Sequence, residues 1–110
     1  MGKFYIKKSK DNQFYFILDA NNKETILLSE MYIAKISAQD GINAVKENAP
    51  LDIRYERKIN QFGQYFFVLR SGNNKVIGNS EMYTSLAARE NGINAVKVNA
   101  PSALVEDLTV

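Results

Sequence analysis

The polar side chains best suited to chemistry occur twice in this chain, 51 residues apart. The box Ser-Glu-Met-Tyr supplies a serine, a glutamate and a tyrosine, namely Ser29, Glu30 and Tyr32 and then Ser80, Glu81 and Tyr83. The segment Gly-Ile-Asn-Ala-Val-Lys supplies an asparagine and a lysine, namely Asn43 and Lys46 and then Asn94 and Lys97. The glutamate could act as a base and the tyrosine as an acid or hydrogen-bond donor. The asparagine and lysine could together hold a phosphate or a carboxylate.

Each of these motifs also has a structural interpretation. The box could turn the chain from a strand toward a helix, with serine and glutamate satisfying backbone donors. The tyrosine would then bury its ring and keep its hydroxyl at the surface. The asparagine and lysine would lie on the helix face away from the apolar stripe, as solvated residues commonly do. We favour these structural interpretations, because nothing in the chain supplies a histidine or a metal to shift a carboxylate pKa.

The amino acids that are missing limit the chemistry further. The chain of 110 residues contains neither cysteine nor histidine. This removes disulfides, the usual zinc ligands, the usual base near neutral pH and every Cys/His nucleophile. Its net charge of +2 is too small to indicate nucleic-acid binding by itself. No apolar stretch approaches the length of a membrane span, and no secretory signal is evident. We therefore expect a cytoplasmic protein with no membrane contact, no cofactor and no metal site.

A tandem repeat sets the organisation. Residues 4–50 align with residues 55–101 without a gap and give 19 identities in 47 positions. Repeats are copies of one supersecondary unit, and units this small would be marginal alone because they bury too little surface. The sequence therefore predicts one domain over residues 1–110 in which the two repeats share a core. This internal pairing also predicts a monomer.

Within each repeat the pattern predicts three strands and a helix. In the first repeat the strands are expected over residues 4–8, 14–18 and 24–30, with turn residues between them. An apolar stripe with helical spacing runs from Ala38 to Ala49, with Ser37 as the expected N-cap and Pro50 as the stop. Glycines in the stripe, Gly41 and Gly92, are expected to allow a close approach of the helix to the sheet.

The end of the chain predicts one more strand. At the same offset, residues 102–108 align with residues 51–57, which include the first strand of the second repeat. A C-terminal strand over residues 103–109 is therefore expected, and each repeat could lend the strand after its helix to its neighbour. The fold class is predicted as α+β: tandem β-β-β-α repeats in one pseudo-twofold domain, with a mainly antiparallel sheet, exchanged C-terminal strands and two packed helices.

These motifs, in this order and with this repeat length, resemble the YegP-like family of uncharacterised bacterial proteins. The features that carry the resemblance are Phe-Tyr-Phe or Tyr-Phe-Phe, the Ser-Glu-Met-Tyr box, Gly-Ile-Asn-Ala-Val-Lys, Ala-Pro and the Asp-Leu-Thr tail. The resemblance implies tandem units assembled into one sheet with exchanged C-terminal strands, and it implies almost nothing about function. One departure from symmetry is visible, because Leu27-Leu28 aligns with Gly78-Asn79.

The predicted strands have two apolar faces. Side chains in a strand point to opposite faces in turn, so one set in each second strand faces the helices. The other set lies on a face that two short helices would leave uncovered: Tyr15, Ile17, Phe66 and Val68, with Tyr5, Lys7 and Lys58 near them. The alternative is that such residues simply suit solvated sheets, or that the exchanged strand covers this face.

Three functions are compatible with these residues. The first, which we favour, is a non-enzymatic module that binds a protein partner or further copies through the uncovered face. The second is weak binding of single-stranded nucleic acid, with bases stacked on the same face and phosphates held by Lys7, Lys58 and Arg57. The third, which we rank last, is an enzyme that uses the Ser-Glu-Met-Tyr box.

Overall fold

Each repeat folds as three antiparallel strands and a helix in the computed structural model, which describes residues 2–110. The first repeat contains β1 (Lys3–Lys8), β2 (Phe14–Asp19), β3 (Thr25–Leu28) and α1 (Lys35–Asn48). The second contains β4 (Tyr55–Ile59), β5 (Tyr65–Arg70), β6 (Val76–Asn79) and α2 (Leu86–Asn99), and β7 (Leu104–Asp107) follows. The expected domain of residues 1–110 begins with Met1, which lies outside the described residues.

The strands of both repeats belong to one mixed sheet in the order β4-β5-β6-β3-β2-β1-β7. The two halves meet where β3 pairs with β6, at Leu28 opposite Asn79. β7 pairs in parallel with β1 at the outer edge of the first repeat, whereas all other pairs are antiparallel. The α+β class and the exchange of the C-terminal strand are thus confirmed. Among the described residues the exchange involves one strand, β7, and β4 remains an edge strand.

The hairpin turns use left-handed backbone conformations at matching positions. Asn12 and Gly63 have φ of 64° and 74° in the first turn of each repeat. In the second turns the left-handed residues are Lys23 and Asn74, with φ of 68° and 66°. The first repeat therefore places a lysine, rather than one of its two asparagines, in this conformation. The Asn22 side chain instead accepts a hydrogen bond from the backbone N–H of Glu24 at 3.1 Å.

The start of the first helix differs from the prediction. α1 begins at Lys35 after Ala34, whose side chain makes no capping hydrogen bond. Ser37, the expected N-cap, lies inside the first turn instead. In α2 a serine does cap the helix, because the Ser85 hydroxyl accepts a hydrogen bond from Ala88 N–H at 3.0 Å.

The third strand is also shorter than predicted and ends at Leu28, since the following residues leave the regular ladder. Neither 14-residue helix has the length or the apolar character of a membrane span.

Both helices pack on one side of the sheet over a single apolar core. Phe4 and Phe16 meet edge to face in the first repeat at 5.9 Å, and Tyr55 and Phe67 do so in the second at 5.7 Å. The Tyr55 hydroxyl also donates to the Ala49 carbonyl at 2.7 Å, and burial raises the pKa of that hydroxyl. The core is therefore shared between the repeats, as their small size requires.

The asymmetry of the third strands occurs where the two repeats meet. A Cβ added to Gly78 would lie 2.6 Å from Leu27 Cγ and Cδ2, and Leu27 is fully buried. Equivalent positions of two repeats face each other across the pseudo-twofold axis, so two leucines would compete for one space. With a leucine in one repeat and a glycine in the other, a single side chain fills the space.

Ion pairs hold β7 against the first repeat. Lys3 Nζ lies 2.7 Å from Glu106 Oε1, and Lys35 Nζ lies 2.8 Å from Asp107 Oδ2. Hydrogen bonds from Lys35 and Thr109 lower the pKa of Asp107 to about 2. The ionised form of Asp107 therefore fastens the C-terminal strand to α1.

We expect Gly78→Ala to lower the free energy of unfolding by about 1–3 kcal/mol, because the new methyl group overlaps Leu27 in a filled core. In a Leu27→Ala background the same substitution should cost close to nothing. A double-mutant cycle by chemical denaturation measures this coupling. An equal cost in both backgrounds would show that Leu27 is not the group that excludes a side chain at position 78.

We expect β7 to loosen before the rest of the sheet as the solution is acidified. Because the folded-state pKa of Asp107 lies below its ordinary value of 3.8, its contribution is complete above about pH 4 and disappears as pH falls toward 2. Protection factors of the Leu104–Asp107 amides, measured by NMR from pH 5 to pH 2 against the intrinsic exchange rate at each pH, should fall more than those in β5. In Asp107→Asn the protection of this strand should be low throughout. A uniform fall across all strands would contradict this expectation.

Candidate functional site

No helix or strand of the described part of the chain covers the side of the sheet opposite the helices, and we call this side the open face. It is defined by alternate residues of the seven strands, since their neighbours Phe16, Leu18, Phe67 and Leu69 enter the core. β7 extends the sheet beside β1 and does not fold over this face. The possibility that the exchanged strand covers the face is therefore wrong.

An apolar row crosses the middle of the open face. Cross-strand pairing places Tyr5 beside Ile17, Ile17 beside Leu28, Leu28 beside Asn79 and Asn79 beside Val68. Tyr5 and Ile17 are half-buried, and Leu28 is 40 % exposed. Val68 is only 5 % exposed, because Glu56 and Asn79 stand on either side of it. The row is thus accessible in the first repeat and shielded in the second.

Two lysine–aromatic pairs lie on opposite sides of this row. Lys7 pairs with Tyr15 across β1 and β2, and Lys58 pairs with Phe66 across β4 and β5. The Lys58 ammonium lies 5.9 Å from the centre of the Phe66 ring. Both rings are half-buried. The structure therefore brings the six predicted residues of this face together as two related halves: Lys7, Tyr15 and Ile17, and Lys58, Phe66 and Val68.

Charges on the open face are of both signs and largely paired. Lys3 binds Glu106, and Arg70 binds Glu56 at 2.9 Å. At the centre, Glu30 Oε2 accepts a hydrogen bond from Asn79 Nδ2 at 2.7 Å. This contact joins the two repeats.

Arg57, expected among the phosphate-binding residues, lies on the other side of the sheet. It is the cross-strand partner of the buried Phe67. Its guanidinium binds Asp52 and Glu90, both at 3.0 Å. The prediction for Arg57 was wrong because side chains alternate along β4, and the alternation puts Arg57 on the face toward the helices.

The serines of the repeated box replace part of the backbone ladder. Ser29 Oγ accepts a hydrogen bond from Phe16 N–H at 2.9 Å and donates to the Glu30 carbonyl at 2.7 Å. Ser80 makes the same two bonds in the second repeat, to Phe67 N–H and the Glu81 carbonyl. Both serines are buried. Their hydroxyls stabilise the point where the third strand leaves regular pairing, as the structural interpretation expected of the serines. The glutamate differs from that interpretation, because Glu30 accepts from the Asn79 side chain and not from a backbone donor.

The tyrosines of the box pack against the helix glycines. Tyr32 stacks on Phe16 with the ring centres 6.4 Å apart. A Cβ on Gly41 would lie 2.8 Å from the Tyr32 hydroxyl oxygen and 2.9 Å from Phe16 Cε2. Burial, and next the nearby Glu30, raise the pKa of Tyr32. Tyr83 and Gly92 repeat the arrangement, and burial again raises the pKa of the tyrosine. The two repeated motifs are thus parts of one packing contact.

The asparagine and the lysine that both helices share have different surroundings. Asn43 and Asn94 are exposed, as a solvated helix face predicts. Lys46 and Lys97 are half-buried instead, and their ammonium groups lie 5.9 Å from the Phe4 ring and 5.5 Å from the Tyr55 ring. Lys97 also binds Asp52 at 2.7 Å. The lysines therefore cover the edge of the core, and their placement on the solvated face was wrong.

A groove of about 690 Å³ runs between α1 and the β5–β6 turn. Its polar lining comes from both repeats and includes Tyr32, Asp40, Glu47 and Lys75. No cluster of three or more metal-ligating side chains occurs among residues 2–110. The groove, like Leu28 and Asn79 on the open face, was not identified from the sequence. The strand alternation that would have identified Leu28 is interrupted by the adjacent buried pair Ile26 and Leu27.

We expect Gly92→Ala to destabilise the protein by about 1–3 kcal/mol through overpacking against Tyr83. This is the opposite of the helix-propensity effect, which favours alanine by about 1 kcal/mol. Asn94→Ala, on the exposed side of the same helix, is the matched control and should be neutral or slightly stabilising. In a Tyr83→Ser background Gly92→Ala should no longer be costly. Stabilisation by Gly92→Ala in the unaltered protein would refute the proposed contact, as read from thermal unfolding.

Comparison with known proteins gives the family. The model of the Domain of unknown function (DUF1508) matches residues 9–56 and again residues 61–107. The UPF0339 protein YegP of Escherichia coli K12 is 47% identical over 108 residues, which is 98% of each chain, and that of Yersinia pestis is 46% identical over 110 residues, which is 100% of this chain and 98% of the other.

Solved structures agree with the fold. The solution NMR structure of the Escherichia coli protein yegP, described as a protein of unknown function, has a TM-score of 0.93 and 47% identity, covering 97% of this chain and 92% of that one. The solution NMR structure of a UPF0339 protein from Shewanella oneidensis has a TM-score of 0.93 and 40% identity, covering 97% and 91%. Two matches of one family model, each ending in the strand that follows a helix, correspond to the two repeats. The chain belongs to the DUF1508 family of YegP-like proteins.

Proposed function

We propose that this protein is a non-enzymatic interaction module that binds another protein through the open face. The observation that carries the proposal is the accessible apolar row of Tyr5, Ile17 and Leu28, which no element formed by residues 2–110 covers. Side chains of this kind, surrounded by polar groups, are typical of protein interaction surfaces. The aromatic residues Tyr15 and Phe66 flank the row and would supply most of the contact area.

The charges of the open face favour a protein over a nucleic acid. Lys3 and Arg70 are neutralised by glutamates, and Glu30 lies near the centre. A phosphate backbone requires several uncompensated basic groups. The nucleic-acid hypothesis assigned phosphate binding to three basic residues. Arg57 lies on the other side of the sheet, so of these three Lys7 and Lys58 lie on the open face. A mixed surface of this kind suits a partner with an apolar centre and charges of both signs at its rim.

The repeated box gives little support to catalysis. Its serine hydroxyls are engaged with the backbone, its glutamate Glu30 with Asn79, and its tyrosine Tyr32 with the helix. A raised tyrosine pKa opposes ionisation at neutral pH. These residues are used to shape the strand end and to seat the helix, which supports the non-enzymatic proposal. The proposal also includes a cytoplasmic monomer, which cell fractionation and light scattering would test.

A photo-crosslinking amino acid at Leu28 tests the proposal directly. In lysate of the source cells it should capture a discrete protein, and the double substitution Tyr15→Ser and Phe66→Ser should reduce that capture at least tenfold. The matched control carries the crosslinker at Asn94, on an exposed helix face, where the same protein should not be captured.

Capture that is equal at both positions, or that survives the double substitution in a folded protein, would overturn the proposal. Nucleic acid crosslinked at Leu28, with a yield that falls steeply as salt rises, would favour the second hypothesis instead. NMR spectra of each variant establish that it is folded before the comparison is made.

A further inference from the structure

The two outer edges of the sheet are equivalent by the repeat but differ in what lies beside them. β1 is the counterpart of β4, and each pairs in the same register with the next strand. β7 lies on the outer edge of β1, whereas β4 ends the described sheet on the other side. Residues 2–110 therefore form one occupied and one unoccupied copy of the same edge.

Backbone groups at the two edges point outward at matching residues. The hydrogen bond from Ser9 N–H to the Gln13 carbonyl fixes the β1–β2 pairing, and that from Asn60 N–H to the Gln64 carbonyl fixes β4–β5 in the same way. In an antiparallel pair the residues between the bonded ones turn their N–H and C=O away. Ile6 is such a residue, and its carbonyl accepts a hydrogen bond from Leu108 N–H at 2.9 Å. Its counterpart at the β4 edge is Arg57.

A hollow beside each edge also repeats. One of about 420 Å³ is lined by Lys3, Tyr5, Asp19 and Lys23, and one of about 440 Å³ is lined by their counterparts Arg54, Glu56, Arg70 and Asn74. The first hollow has one further wall, Leu104 of β7. Ile53, which aligns with Leu104 at the repeat offset, does line the second hollow, but it belongs to the segment just before β4. Among residues 2–110 no strand on the outer side of β4 supplies the wall that Leu104 gives to the first hollow. The missing wall is the part that an added strand would supply.

We propose that the β4 edge binds an extended segment of another polypeptide, parallel to β4, in the arrangement that β7 shows on β1. Strand addition of this kind takes affinity from backbone hydrogen bonds and specificity from alternate side chains. The site lies at an edge and is separate from the open face, so it goes beyond the proposed function.

The side chains of the β4 edge define the segment. Ile53, just before β4, lines the second hollow and is 82 % exposed, and it favours an apolar residue at the first position, where β7 has Leu104. Asp107 lies beside Ile6, so the fourth residue of the segment would lie beside Arg57, whose guanidinium already binds Asp52 and Glu90 and sets no charge preference there. The third residue would lie beside Glu56, which Arg70 binds, so a basic or neutral side chain avoids the like-charge contact that an acidic one would make.

The probe is a synthetic peptide of residues 103–110 that carries Glu106→Lys, titrated into the full-length ¹⁵N-labelled protein. Amide shifts should concentrate on Tyr55, Arg57 and Ile59. A nitroxide on the peptide N-terminus should broaden Gly72, which lines the hollow, whereas a nitroxide on the C-terminus should not. A scrambled peptide of the same composition is the ligand control.

Arg57→Pro removes the outward N–H, and Arg57→Ala removes the same guanidinium but keeps that N–H, so the pair is matched. Arg57→Pro should bind the peptide about tenfold more weakly than Arg57→Ala, because one backbone hydrogen bond is lost. Equal binding by the two variants, shifts confined to β1 and β7, or the opposite broadening pattern would overturn the proposal. Should Arg57→Pro not fold, the shift map and the two nitroxides decide the question alone. Tyr15→Ser with Phe66→Ser should leave peptide binding unchanged, which separates this site from the open face.

Discussion

The pairing of β3 with β6 is the contact on which the rest of the structure depends. It joins two units that are individually too small to bury a sufficient core, and it places Leu28 directly opposite Asn79. On the helix side of the same junction Leu27 fills the space that Gly78 leaves open. On the open side Glu30 of the first repeat binds Asn79 of the second. The duplication is therefore symmetric in its elements but asymmetric at its axis, where one space cannot hold two copies of the same side chain.

Much of this arrangement could be predicted from the sequence. The gapless repeat, the alternation in the second strands and the apolar stripe of the helix are local patterns, and they gave the element order and the fold class. The start of α1 was misplaced because Ser37 was taken as its cap, whereas the helix begins at Lys35 after Ala34. The end of the third strand was misplaced because Ser29 replaces a ladder hydrogen bond with its side chain. No propensity marks such a substitution. The place of β7 was predicted only because the offset aligned it with an existing strand.

The candidate site was predicted less completely, for a related reason. Alternation placed Tyr15, Ile17, Phe66 and Val68 on one face correctly, since all four belong to regular strands. It could not show that Val68 is shielded by its neighbours, or that Arg70 neutralises Glu56. These facts depend on cross-strand register, which a single strand does not reveal. The coupling of each box tyrosine to a helix glycine was likewise invisible, because it joins segments that are separate in the chain.

The central claim is that the open face is occupied by a protein in the cell. Hydroxyl-radical footprinting measures this directly, by comparing side-chain oxidation in intact cells with oxidation of the purified protein. The account predicts that Tyr15 and Phe66 are protected in cells, whereas Phe62, which is 77 % exposed at a hairpin turn, is oxidised equally in both. Equal oxidation of all three residues in both conditions would contradict the claim.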